Sequence, residues 1–175
     1  MSNQLKPAID GQDHSQGSQS APLELVEYGD YQCSYCGEAY PEVKAAQQAL
    51  GDKLRFVFRN FPLTEAHPHA QQAALAAEAA ARQGKFWEMH DALYEHQDQL
   101  DAPGLRQHAQ RLSLDMDQFQ KDLQSPAIAE KVEADFESGV RSGVNGTPAF
   151  FVNGELYQGN WQDGELTRFL QSQVR

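Results

Sequence analysis

The chain has 175 residues, of which 40% are hydrophobic and 10% aromatic, enough to bury the core of one globular domain. Lys and Arg number 14 against 25 Asp and Glu, and the net charge of −11 disfavours binding to nucleic-acid phosphates or anionic lipid. No stretch approaches the roughly 18 apolar residues of a membrane span, and the start of the chain lacks the features of a secretory signal. We therefore expect a soluble, cytoplasmic monomer, or an extracytoplasmic one if a leader has been removed.

The first part of the chain predicts a lead-in followed by a strand–helix–strand unit. Residues 1–21, rich in Gln, Ser, Asp and Gly, predict an extended or mobile lead-in to a domain of residues 22–175. Alternating apolar residues then predict a strand over 23–28, and an Ala-, Glu- and Gln-rich stretch predicts a helix over 34–50. A second alternating run predicts a strand over 54–58.

Residues 64–142 have helical patterning throughout and form an insertion in the predicted domain. Glycine and proline breaks divide this section into five predicted helices. These helices cover residues 70–82, 86–96, 105–112, 116–123 and 127–140.

The last part of the chain predicts a hairpin and a closing helix. Asn153-Gly154 supplies the positive φ angles of a two-residue turn between strands 149–152 and 155–158. An amphipathic pattern over residues 163–174 predicts the final helix.

The only two cysteines, Cys33 and Cys36, lie at the junction of the first strand and the first helix. Three positions apart, they cannot staple distant loops, so a disulfide scaffold is excluded. Unpaired amides and the dipole at a helix N-terminus stabilise a thiolate, which predicts that Cys33 is the more acidic and nucleophilic sulfur. Cys36 lies one turn further on, where it can resolve a mixed disulfide formed by Cys33. The pair therefore predicts thiol–disulfide exchange.

Two other interpretations of the cysteine pair stay open. The pair could be half of a zinc site, although His67-Pro68-His69 lacks the spacing of a second ligand pair. It could also consist of two inert core cysteines, because cysteine is often buried. The histidines of the helical section are interpreted as helix-surface residues and not as ligands: His90, His96 and His108.

Thr147-Pro148 is the second informative motif. The proline follows Gly146 and precedes an apolar strand, where a cis peptide bond would expose the Thr147 backbone for strand-like pairing with a bound peptide. For this proline alone, a trans bond is the ordinary expectation. Its combination with the Cys-x-x-Cys pair favours the cis form.

These motifs together resemble the DsbA-like branch of thiol–disulfide oxidoreductases, which has a thioredoxin fold with a helical insertion. The resemblance covers residues 13–170 and rests on the strand–Cys-x-x-Cys–helix junction, the helical section and Gly-Thr-Pro before the hairpin. Further segments are similar to thioredoxin-like domains found alone or fused to bacterial sodium/proton antiporters: 13–14, 26–33, 61–64, 67–69, 86–91 and 146–154. The resemblance implies an α/β, thioredoxin-like fold of the order β-α-β, helical insertion, β-β-α.

The resemblance also implies roles for individual residues. Cys33 would be the nucleophile, Cys36 the resolving thiol and Pro148 the cis-proline packed against the disulfide. The backbone of Thr147 would meet the substrate. Glu27 matches a buried acid that shuttles a proton near the second cysteine, with an ordinary surface glutamate as the alternative.

The dipeptide between the cysteines, Ser34-Tyr35, is expected to contact the substrate and to tune the reduction potential. Ser34 stands where the family often has proline, and the dipeptide has no histidine to supply an imidazolium near Cys33. The direction of exchange, whether oxidation, reduction or isomerisation, therefore stays open.

We expect a protein-disulfide oxidoreductase that acts on protein thiols or disulfides and is recharged by an external thiol or oxidoreductase. No metal or organic cofactor is required for this chemistry. A non-catalytic redox-sensing or peptide-binding module of the same fold is the main alternative. A glutathione-linked isomerase or transferase of this fold commonly uses a single serine, so the intact cysteine pair argues against it.

Overall fold

The computed structural model describes residues 3–174 and places five strands of this range in one sheet of order β1-β3-β2-β4-β5. The strands are β1 His14–Gln16, β2 Leu23–Gly29, β3 Leu54–Asn60, β4 Ala149–Val152 and β5 Glu155–Leu156. β1 is antiparallel to β3, β2 to β4, and β4 to β5. The four predicted strands are confirmed, whereas β1 falls in the segment predicted as a lead-in.

The helices of the same range are α1 Ser34–Leu50, α2 Ala70–Ala81, α3 Phe86–Glu95, α4 Ala102–Arg111, α5 Met116–Leu123, α6 Pro126–Arg141 and α7 Glu165–Ser172. All the predicted helices are present. The largest difference is at the start of α4, where Asp101 caps the helix by accepting a hydrogen bond from the Gly104 N–H. Pro103 therefore lies in the first turn, where a proline is tolerated, and does not separate the helix from its cap. None of the helices within residues 3–174 is long and apolar enough to cross a bilayer.

The described chain divides into two compact units. The first comprises residues 3–29, Glu38–Arg59 and 137–174, and holds the sheet, most of α1, and α7. The second comprises Asp30–Gly37 and Asn60–Phe136, and holds α2 to α5, most of α6 and the first turn of α1. The second unit thus combines most of the predicted helical insertion with the Cys-x-x-Cys segment.

The core of the first unit lies around the central strand β2, most of whose residues are buried. Tyr28 packs edge-on against Phe151 of β4, with 5.7 Å between the ring centroids. The neighbouring hairpin has the predicted turn: Asn153 and Gly154 have φ angles of 49° and 85°. Two successive positive φ angles are what a two-residue turn between twisted strands requires.

The segment predicted as an extended or mobile lead-in is part of the sheet at both edges. His14 pairs with Phe58 through β1 and β3 at one edge. At the other edge, the Leu5 N–H donates to the Gly154 carbonyl at 2.8 Å, and Gln4 bridges Glu155. The sequence did not predict this because the contacts are made by the backbone, while the side chains are polar and lack a strand pattern.

A buried ion pair fixes the same segment to the first unit. The Arg59 guanidinium donates to both carboxylate oxygens of Asp13, each at 2.9 Å, and to the Tyr28 hydroxyl at 2.9 Å. Both charged side chains are almost fully buried. Burial acts to lower the pKa of Arg59, but its hydrogen bonds to Asp13 and Tyr28 outweigh burial and raise it, so the guanidinium stays charged.

The core of the second unit is built around the alanine-rich helix α2, which packs against α3, α4 and α5. Nine of its residues are buried, and eight of these are alanine or leucine. Small side chains let neighbouring helices approach closely, and larger apolar residues of those helices fill the remaining space: Met89, Leu93 and Phe119.

The interpretation of His90 and His108 as helix-surface residues is wrong, because both are buried in the second unit. His90 packs among aromatic rings, and its Nδ1 lies 2.9 Å from the Tyr31 hydroxyl. His108 donates from Nε2 to the Gln99 carbonyl at 3.0 Å, since a carbonyl oxygen can only accept. His96 is half-buried, and its Nδ1 lies 2.9 Å from the Ala92 carbonyl.

Burial lowers the pKa of His108, and its hydrogen bond to Gln99 opposes this only in part. The unfolded chain therefore binds a proton at this position more readily than the folded chain. We expect the contribution of neutral His108 to the free energy of unfolding to be complete above the unfolded pKa of about 6.5. This contribution should be lost as the pH falls below that value. His108→Gln, whose amide can still donate to Gln99, should reduce the fall in the urea midpoint between pH 7.5 and pH 5.5. An equal fall of the urea midpoint in His108→Gln and in wild type would contradict this expectation. His69→Gln replaces an exposed histidine and serves as the control.

Candidate active site

Cys33 and Cys36 lie at the start of α1, as predicted. Cys33 directly precedes the helix, and its carbonyl accepts the first helical hydrogen bond, from the Gly37 N–H at 3.1 Å. Cys36 lies in the first turn and is fully buried, whereas Cys33 is 6% exposed. Both cysteines are buried, and Cys33 is the more exposed residue of the two.

The turn before Cys33 is organised by Asp30, which is buried. The Asp30 carbonyl accepts the Cys33 N–H at 3.1 Å, and its side-chain Oδ1 accepts the Gln32 N–H at 2.8 Å. Aspartate often forms such turns because its carboxylate reaches the amide two residues further along the chain. Hydrogen bonds within the segment itself therefore hold the backbone before Cys33.

The loop after β3 also holds this turn through hydrogen bonds. The Asp30 Oδ2 atom accepts the Leu63 N–H at 2.9 Å and lies 2.7 Å from Nδ1 of His67. The Gln32 side chain accepts the His69 N–H at 2.7 Å. Three hydrogen bonds thus join the segment before Cys33 to residues 63–69.

The side chain of Gln97 also holds the turn through hydrogen bonds. Its Nε2 donates to the carbonyls of Tyr31 and Cys33, each at 2.9 Å. A Cβ atom at Gly37 would meet the side-chain amide of Gln97, so a larger residue at this position would require that flexible side chain to move.

The dipeptide between the cysteines faces outward. Ser34 is exposed, and Tyr35 is one of the most exposed large hydrophobic side chains of the described chain, at 59%. An exposed aromatic ring between the two cysteines of the sequence offers an apolar contact to a polypeptide.

The other predicted site residues lie in the first unit. Glu27 is buried in β2 and pairs in register with Phe150 of β4, so the surface alternative for Glu27 is wrong. The peptide bond between Thr147 and Pro148 is cis and directly precedes β4. Glu27 therefore lies in β2, and the Thr147–Pro148 bond directly precedes the neighbouring strand β4.

Sequence reasoning missed the three side chains that hold the Cys33 turn: Asp30, His67 and Gln97. The sequence assigned no role to Asp30 or Gln97, and His67 entered only in the resemblance segment 67–69 and in a histidine pair that lacks zinc-ligand spacing. Within residues 3–174, no group of three or more His, Cys, Asp or Glu side chains is arranged to hold a metal ion.

This arrangement defines a class of protein: an α/β fold with a cysteine pair at a helix N-terminus and a cis-proline before a strand. A family model described as thioredoxin matches residues 10–172, and the chain belongs to this family. Its similarity to a bacterial antiporter protein is also confirmed: the chain is 44% identical over 170 residues to the Na(+)/H(+) antiporter NhaA 3 of Salinispora tropica. That match covers 96% of this chain and 26% of the antiporter, so the chain spans about a quarter of that relative.

Solved structures confirm the thioredoxin-like fold of the DsbA type. A thioredoxin-like oxidoreductase from Silicibacter pomeroyi DSS-3 has a TM-score of 0.83 and 28% identity, with 95% of this chain and 94% of that chain covered. The thiol-disulfide exchange protein alpha-DsbA2 from Wolbachia pipientis has a TM-score of 0.81 and 19% identity, with 94% and 89% covered. At that identity, the second likeness shows the shared fold alone.

Proposed function

We propose that this chain is a thiol–disulfide oxidoreductase that exchanges disulfides with protein thiols through Cys33 and Cys36. The placement of the pair carries the proposal, because Cys33 accepts the first hydrogen bond of α1 and therefore sits at its positive end. The greater exposure of Cys33 supports its role as the sulfur that meets the substrate. The likeness to a thioredoxin-like oxidoreductase at 28% identity supports the same chemistry.

The exchange proceeds in two balanced steps. When the pair is oxidised, a substrate thiolate attacks the Cys33 sulfur, the Cys33–Cys36 bond breaks, and Cys36 leaves as a thiolate. A second substrate thiolate then attacks the substrate sulfur of the mixed disulfide and releases Cys33. Two electrons pass from the substrate to the pair, and an external thiol or oxidoreductase restores the starting state. Reduction of a substrate disulfide is the same sequence in reverse.

The remaining site residues assist these steps in our proposal. The Thr147 backbone binds an extended substrate segment beside the cis peptide bond that it forms with Pro148. Glu27 acts as a proton shuttle during the exchange, which its burial in β2 supports, because a buried acid is shielded from bulk water. Ser34 and Tyr35 contact the substrate, which the exposure of the Tyr35 ring supports.

A turnover assay tests the proposed function. Wild-type protein should accelerate insulin disulfide reduction by a small thiol, or oxidation of a dithiol peptide, above the rate without protein. The double variant Cys33→Ser/Cys36→Ser should show the rate without protein in both assays. Failure of wild type in both assays would overturn the proposal. Redox-dependent binding without turnover would instead support a non-catalytic module.

The reduction potential of the pair decides the direction and bears on the compartment. Equilibration with glutathione buffers should give a value near about −270 mV for a reductant of the thioredoxin kind, or near about −120 mV for an oxidant. We propose a cytoplasmic, monomeric protein, which requires a value near the first figure. A value near the second would overturn that placement, because cytoplasmic thiol systems would keep such a dithiol reduced.

A further inference from the structure

We propose that His67, acting through Asp30, is a positioning residue that stabilises the Cys33 thiolate. This inference rests on the proposed function and names a residue that the motifs alone do not assign. His67 lies outside the Cys-x-x-Cys dipeptide, which has no histidine of its own. It supplies an imidazole to the segment before Cys33 by way of the Asp30 carboxylate.

The hydrogen bonds at Asp30 determine which nitrogen of His67 carries a proton. The Asp30 side chain is fully buried, and its carboxylate also accepts two backbone N–H groups, from Gln32 and Leu63. A carboxylate can only accept, so Nδ1 of His67, at 2.7 Å from Oδ2, donates its proton to Asp30. The His67 side chain is 26% exposed, so solvent reaches this side of the pair.

The position of Asp30 in the chain connects this pair to the nucleophile. Its backbone carbonyl accepts the Cys33 N–H, so the buried carboxylate belongs to the same turn as the reactive residue. A buried negative charge in the same turn disfavours a second negative charge on the Cys33 sulfur. Donors to Asp30 offset this charge, and the donor from His67 is the only one of the three that comes from a side chain.

The hydrogen bond from His67 to Asp30 also keeps the turn in the conformation that stabilises a thiolate at Cys33. The helix N-terminus stabilises Cys33 only while the amides of the first turn face the sulfur. The turn is held by Asp30 on one side and by Gln97, which binds the carbonyls of Tyr31 and Cys33, on the other. Loss of the His67 donor removes one side-chain support and leaves the negative charge of Asp30 less compensated.

Three variants separate this role from simple folding support. His67→Leu removes the donor. His67→Asn places an amide N–H near the position of Nδ1 and restores a donor without an imidazole. His69→Leu changes an exposed neighbour whose hydrogen bond to Gln32 is made by the backbone N–H and is retained in the variant, so it serves as the matched control.

Two measurements report on the thiolate without any protein substrate. The first is the rate of Cys33 alkylation by iodoacetamide at pH 6.5, in a Cys36→Ser background with one thiol. The second is the glutathione equilibrium of the two-cysteine protein. We expect His67→Leu to slow alkylation about tenfold and to shift the equilibrium about tenfold toward the disulfide, which corresponds to about 30 mV. His67→Asn should come within about threefold of wild type, and His69→Leu should match wild type.

The inference is overturned if His67→Leu equals wild type in both measurements, or if His67→Asn is as impaired as His67→Leu. Urea midpoints of all three variants show whether each is folded under the assay conditions. If His67→Leu is unfolded, the comparison of His67→Asn with wild type decides: a match supports the inference, and a tenfold loss overturns it. Failure of the proposed function is distinguishable, because it appears as absence of turnover in the wild-type protein.

Discussion

Replacement of Asp13 with alanine is expected to lower the free energy of unfolding by about 3–5 kcal/mol, because it leaves the Arg59 guanidinium charged and buried without its partner. Arg59 makes two of its hydrogen bonds to Asp13, each at 2.9 Å, and both side chains are almost inaccessible to solvent. The loss should appear as a lower urea midpoint. Asp13→Asn keeps one acceptor for Arg59 and should lose less, which provides a folded variant for comparison.

An exposed ion pair of the same unit is the matched control for this experiment. Arg168 donates to Glu165 at 2.7 Å, but about half of each side chain or more is exposed. Solvent screens such a pair, and Glu165→Ala should cost less than about 1 kcal/mol. If Asp13→Ala cost no more than Glu165→Ala, the buried pair would not be what anchors the N-terminal segment to the sheet.

Replacement of Cys33 with serine is expected to lower disulfide exchange to the rate without protein. A serine oxygen cannot form the mixed disulfide, so no step of the proposed cycle can begin. Steady-state turnover measures this loss. Cys36→Ser should also lose turnover but should retain the first attack by Cys33.

The stability of Cys33→Ser provides the control for this prediction. Serine is smaller and more polar than cysteine, so at this buried position we expect the free energy of unfolding to fall by about 1–3 kcal/mol. Loss of turnover in a variant whose urea midpoint shows that it is folded under the assay conditions would therefore report chemistry. Retention of turnover by Cys33→Ser would contradict the assignment of Cys33 as the nucleophile.

The order of helices and strands could be predicted because local patterns determine most of these elements. The alternation in β2 and β3, the breaks between helices and the Asn153-Gly154 turn are each visible within a few residues. The position of the cysteine pair at a helix N-terminus follows from the same local patterns. These predictions needed no contact between distant segments.

The three side chains that hold the Cys33 turn could not be predicted, because their contacts join residues that are far apart in the sequence: Asp30, His67 and Gln97. His67 is 37 residues from Asp30, and Gln97 is 64 residues from Cys33, so no spacing motif connects them. The burial of His108 depends likewise on helix packing, and β1 depends on backbone pairing with β3. Polar side chains in a helical pattern are ordinarily placed on the surface, and this expectation is wrong where a polar residue has a specific buried partner.

The buried carboxylate of Asp30 bears on the direction of exchange, because that direction depends on the reduction potential of the cysteine pair. Ser34 and Tyr35 supply no cationic group to the sulfur, whereas the His67–Asp30 pair adjusts the charge of the turn from outside the dipeptide. The reduction potential of this chain therefore depends, in our proposal, on a loop that follows β3 as well as on the residues between the cysteines.

Trapping of a mixed disulfide tests the central claim most directly. The reduced Cys36→Ser variant is mixed with a peptide that contains one disulfide, and the products are mapped by non-reducing mass spectrometry. The proposed mechanism requires a peptide joined to Cys33 that is released by a reductant and is absent from Cys33→Ser. The absence of any adduct in Cys36→Ser, or an adduct formed equally fast on Cys36 in Cys33→Ser, would contradict it.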